Sequence, residues 1–143
     1  MKELIRYQTD RNLDTELYDL TNEAANIFEE LLEAGGLDVP KANRPKLRAA
    51  LRNFTQTLIA DGIAVSDGNR VSNYDQIDAF CDIITFSVGA LLKLGHDPIK
   101  AIEECGKEIN SRVGEMVDGK FEKTLTESAR ANWYKADYSK SVL

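Results

Sequence analysis

The stretch NYDQIDAFCDIITFSVGALLKL, residues 73–94, decides how this chain folds. Its apolar residues Ile77, Phe80, Cys81, Ile84, Val88, Leu91 and Leu92 recur at spacings of three and four, the period of a helix and not the alternation of a strand. They cover half the circumference or more, which predicts the most buried helix of the molecule. Asn73 is the candidate cap and Gly95 the stop. The apolar run from Ile83 to Leu92 is closed by Asp82 and Lys93 and is about half of the roughly 20 residues a bilayer requires, so it reads as a core segment and no membrane span is expected.

The same period continues on both sides. Leu13, Leu17, Leu20, Ala24, Ile27, Phe28 and Leu31 predict a first helix from about Leu13 to Ala34, stopped by Gly35-Gly36. Leu47, Leu51, Phe54, Leu58 and Ile59 predict a second, from Pro45 with Asn43 as candidate cap to Asp61-Gly62. Between Ile63 and Ser72, Asp67-Gly68-Asn69 marks a loop or small hairpin. Asp97-Pro98 opens a further helix to about Val113 with Ile99, Ile102, Cys105 and Ile109 inward. Beyond Gly114 the pattern weakens into a polar tail. There Thr126 to Trp133 suits one short helix, and Trp133, Tyr134 and Tyr138 offer aromatic material for docking. The expected fold is all-α, a bundle of four main helices with a short C-terminal tail, and 143 residues suit a single domain over 1–143.

Composition removes several classes of function. An apolar fraction of 43% supplies a packed interior and argues against disorder. Against 24 acidic residues stand 18 basic ones, and the net charge of −6 argues against binding a nucleic-acid polymer, while one phosphorylated small molecule needs only a local basic cluster. Two Cys make no disulfide framework and the N-terminal residues make no signal peptide, so a cytoplasmic location is expected. Cys81 and Cys105 lie on apolar faces and are expected to be buried, inert thiols. His96, in a helix-to-helix turn, is expected to face solvent or make a local hydrogen bond. Asp67-Gly68-Asn69 lacks the spacing of a calcium loop.

The acids carry the chemistry. Glu29, Glu30 and Glu33 lie on the first helix, and Asp75, Asp78 and Asp82 form a stripe along the helix of residues 73–94, because residues three, four and seven apart share a face. A carboxylate among apolar residues has to be paired, protonated or bound to a cation. Oxygen donors without nearby His or paired Cys select Mg²⁺, or Mn²⁺, over Zn²⁺. Salt bridges to Arg44, Lys46, Arg48 or Arg52 are the alternative, as is a solvated face for Glu29, Glu30 and Glu33.

Glu29-Glu30-x-x-Glu33, followed by Asp75-x-x-Asp78-x-x-x-Asp82-Ile83-Ile84, Gly89 and Leu94-Gly95, resembles the all-α nucleoside triphosphate pyrophosphohydrolases, the MazG-like and phosphoribosyl-ATP pyrophosphohydrolase-like group. The likeness extends through Asp97-Pro98, Glu104, Ser111-Arg112 and Asp118-Gly119-Lys120 to Trp133-Tyr134-Lys135-Ala136-Asp137-Tyr138, about three quarters of the chain. It implies a bundle that forms a homodimer or homotetramer and cleaves a nucleotide to monophosphate and pyrophosphate with Mg²⁺. Glu30, Glu33, Asp78 and Asp82 are then the metal ligands, with Asp75 as the other candidate because the family's second acidic pair is Glu-x-x-Asp and Ala79 stands three before Asp82. Glu29 or Glu30 takes the proton of the attacking water. Arg112, standing where the family has lysine, contacts phosphate with Lys120 and Lys135. Trp133, Tyr134 or Tyr138 stacks a base or packs the tail. A non-catalytic helical interaction protein and a pyrophosphohydrolase acting on a phosphoribosyl nucleotide are the alternatives.

Overall fold

The computed structural model describes residues 1–15, 17–68, 72–117 and 120–143, without the side chains of Thr15 and Lys120. The chain is mostly helical and divides into two compact units, Leu17–Val71 and Met1–Glu16 with Ser72–Leu143. Among the described residues no helix is long and apolar enough to cross a membrane.

In the unit Leu17–Val71, helix α2, Leu20–Ala34, packs against α3, Arg44–Ala60. The expected start at Leu13 is corrected to Leu20. Asp19 is extended and its carboxylate accepts the N–H groups of Thr21 at 2.8 Å and Asn22 at 3.1 Å, which fixes the first turn there. The stop falls at Gly35-Gly36 as expected: Gly36 N–H donates to Glu33 O and Leu37 N–H to Leu32 O, a closure that needs the φ of +80° at Gly36. Gly62 ends α3, with Pro45 in the first turn; Asn43 holds the cap position without a side-chain bond. The Asp67-Gly68 turn precedes residues 69–71, which lie outside the description, as does part of the loop-or-hairpin expectation.

In the other unit, α5, Pro98–Ser111, is the spine, and α1, Lys2–Thr9, and α4, Asn73–Lys93, lie against it. Asp97 caps α5 as the Asp-Pro pair predicts, accepting from Ile99 N at 2.9 Å. Ser72, not Asn73, caps α4: Asp75 N–H donates to Ser72 Oγ, and Ser72 N–H donates back to the Asp75 carboxylate at 3.2 Å. Helix α1 was not expected from the sequence. It closes on α5 at Gly106, where a Cβ would stand 2.7 Å from the Cβ of Glu3.

Two further expectations are corrected in this unit. Helix α4 has no buried residue: α5 is the helix of its own unit that packs on it, and its apolar side stays exposed among the described residues. The polar tail begins with a two-stranded antiparallel hairpin, β1 Gly114–Val117 and β2 Lys120–Lys123, followed by the short helix α6, Glu127–Arg130, capped by Thr126. Arg11 joins α1, α5 and the hairpin: it donates to the carbonyls of Ile109, Asn110 and Arg112 at the end of α5, and its guanidinium sits 4.5 Å from the Tyr7 ring and 4.8 Å from that of Phe121.

Candidate functional site

The predicted acids divide by environment. Glu29 is buried at 3% exposure, not on a solvated face, and accepts from Arg44 Nη2 at 3.4 Å. Glu30 and Glu33 lie on the exposed surface of α2. Asp75 is committed to the cap of α4. Asp78 and Asp82 stand one turn apart on α4, exposed, with no hydrogen-bond or ion-pair partner among the described residues. The expectation of an acidic stripe sheltered on the most buried helix is therefore corrected: Ile77, Ile84 and Phe86 around it are 57%, 50% and 76% exposed. Among the described residues no three His, Cys, Asp or Glu side chains are grouped as metal ligands.

A denser constellation lies where α5 meets the tail. The buried Glu104 accepts from Lys107 Nζ at 2.6 Å, from the Tyr134 hydroxyl and from Asp137 N–H at 3.1 Å, with Lys140 Nζ at 3.6 Å. These bonds, that from Lys107 foremost, hold its carboxyl far below the usual range, at about 2. One turn on, Glu108 accepts from the Ala136 N–H at 2.9 Å and pairs with Arg112. Burial pushes the Glu108 carboxyl up, but these two donors outweigh it and the carboxyl lies below its ordinary value. Ser111 Oγ receives the Tyr134 N–H at 2.8 Å. The tail thus docks by carboxylates that read its backbone. The sequence signal was there: Ala101, Glu104, Cys105 and Glu108 follow helical spacing, so two acids share the inward side of α5.

The expected phosphate contacts are only partly gathered. Arg112 lies beside Trp133, its guanidinium carbon 5.9 Å from the ring centroid. Lys135 is exposed, and the side chain of Lys120, like Asp118 and Gly119, lies outside the description. Tyr138 is half-exposed; burial, then the neighbouring Cys105 and Glu108, push its phenol up. Ile99, expected inward, is 70% exposed. Cys81 is exposed and not buried, and Cys105 is half-buried. His96 makes the local bond: its Nδ1 is 2.8 Å from Ser141 Oγ, which in turn donates to Tyr138 O. A groove of about 770 Å³ also runs between α1, α5 and the tail, lined by Lys2, Arg6, Glu103, Lys107, Asn110 and Tyr134.

Neither protein-family models, nor curated proteins, nor solved structures give a match to this chain.

Proposed function

We propose that the protein is a Mg²⁺-dependent nucleotide pyrophosphohydrolase of the MazG-like, four-helix-bundle kind, cleaving a nucleoside triphosphate to monophosphate and pyrophosphate. The observation that carries this reading is the pair Asp78 and Asp82, one turn apart and without a partner among the described residues, on a helix whose first-turn acid, Asp75, is spent on a cap. Like charges at this spacing repel, so a binding function explains them better than stability does. The donor set is all oxygen, which suits Mg²⁺ or Mn²⁺. Glu30, Glu33, Asp78 and Asp82 are the residues that would hold the cation, and Asp75 leaves the ligand set because the cap occupies it. Bound there, the cation supplies charge neutralisation for the triphosphate. Glu29, held by Arg44, or whichever of these carboxylates does not hold the cation, would take the proton of the attacking water. Arg112, with Lys120 and Lys135, contacts phosphate oxygens. A net charge of −6 favours a small nucleotide over a nucleic-acid polymer, and a cytoplasmic setting belongs to the same reading.

The exposed apolar side of α4, with Tyr74 84%, Ile77 57% and Ile84 50% exposed, supports a homodimer or homotetramer. It equally favours a second reading, a non-catalytic helical interaction protein. Incubation with a panel of nucleoside triphosphates and Mg²⁺ separates the two. Monophosphate plus pyrophosphate, lost in Asp82→Ala, supports the enzyme; turnover of a phosphoribosyl nucleotide alone moves the substrate; no turnover by folded protein leaves the interaction module.

A further inference from the structure

Trp133 is the single tryptophan of the chain and belongs to the tail segment that covers α5. Its indole Nε1–H and the Nε–H of its neighbour Arg112 are both shut off from solvent, and neither has an acceptor among the described residues. Folded proteins keep few such donors, since each has given up water without a replacement. Two of them on adjoining side chains point to a shared acceptor that the described residues do not provide: the oxygens of Glu108 already serve Arg112 Nη2 and the Ala136 N–H. The local charge selects an anion. Arg11 and Arg112 act together on Tyr7, and Arg112 and Lys123 on Glu108. The guanidinium carbon of Arg112 stands 5.9 Å from the Trp133 ring centroid, which makes the two donor-bearing groups close neighbours. A quarter of the Arg112 side chain is exposed, so the closed Nε–H lies just beneath the surface.

We propose that the Trp133 Nε1–H and the Arg112 Nε–H together bind one phosphate group of a small phosphorylated molecule, making Trp133 a specificity-determining donor. This rests on the pyrophosphohydrolase reading only for the identity of that molecule as a nucleoside triphosphate.

The tryptophan is its own reporter. Titrating inorganic pyrophosphate into the full chain in EDTA, which keeps divalent cations out, should change tryptophan emission saturably. Trp133→Phe keeps the aromatic ring and loses the N–H; Arg112→Lys keeps the charge and loses the Nε–H. Each should weaken pyrophosphate binding, measured by calorimetry, roughly tenfold while leaving the thermal melt in place. An emission that does not respond, or variants that bind as the wild type does, overturns the proposal. Triphosphate turnover is scored separately. Turnover with an unchanged KM in Trp133→Phe removes Trp133 and leaves the enzyme reading standing. Pyrophosphate binding that both variants weaken, with no turnover by the wild type, does the reverse.

Discussion

Helix α4 carries Ile77, Ile83, Ile84, Phe86 and Leu92 and leaves each at least 39% exposed, whereas its neighbour α5 buries Ala101, Glu104 and Gly106. Composition ranks the two the other way round. What separates them is partners: α5 has α1 and the tail against it, and its acids find donors on the tail, while α4 packs on α5 within that unit. Burial within one chain follows the supply of complementary neighbours, and a buried carboxylate persists when its oxygens are filled.

The sharpest way to break this contrast is to empty the carboxylate under the tail. Glu104→Ala removes the acceptor of Lys107, Tyr134 and Asp137 at once, and of all single substitutions on α5 and α4 it should lower the melting temperature most. The same group gives a pH signature. Its pKa is lowered on folding, from 4.5 to about 2, so its contribution is complete above about pH 4.5 and is lost as pH falls toward 2. Glu108, which holds the Ala136 N–H, and Asp137, which pairs with Lys140, also have carboxyls below their ordinary values and shed part of their contribution in the same acid range. Trp133 emission followed through an acid titration should show the tail loosening there, and Glu104→Gln should reduce that transition to the share of Glu108 and Asp137. An identical acid profile in the variant would separate the tail from Glu104.

Next in size is the other side of α5. Arg11→Ala strips donors from three carbonyls at the helix end and a cation from between two rings, for a loss of about 2–3 kcal/mol by chemical denaturation. Gly106→Ala should cost less. The new methyl meets the Glu3 Cβ, an overpacking of about 1–3 kcal/mol, against a gain in helix propensity of about 1 kcal/mol. A stability equal to or above the wild type would show that α1 does not press on α5 at that point.

These variants also show what the sequence made legible. The stops at Gly36 and Gly95 and the Asp97 cap were readable because they depend on a few adjacent residues. The start of α2 was not, since Leu13 and Leu17 continue the period and only the Asp19 side chain ends it. The hairpin hid because strands of four residues leave little alternation to read, although Asp118-Gly119 is a turn pair. The acids of α4 were found as residues and misplaced as an environment: periodicity reports which side of a helix is apolar, not whether anything covers it. Glu104 stood out only within the family likeness and Glu108 not at all: their local partners Lys107 and Arg112 read as ordinary helix-surface ion pairs, while the tail donors that bring them inside lie some 30 residues away, a pairing that no local pattern encodes.

The smallest change in stability belongs to α4 and bears most on function. Asp78 and Asp82 are exposed and unpartnered among the described residues, so Asp78→Asn and Asp82→Ala should each shift stability by no more than about 0.5 kcal/mol without divalent cations. Removing one of two like charges a turn apart even favours a slight gain. If the pair binds Mg²⁺, the wild type should be stabilised by the ion, by about 2.7 kcal/mol at a concentration 100 times the dissociation constant. The Asp82→Ala protein should not respond. Thermal melts with and without Mg²⁺ decide it. An ion effect of equal size in both proteins would place the cation elsewhere and leave the paired acids of α4 as an exposed face for a partner.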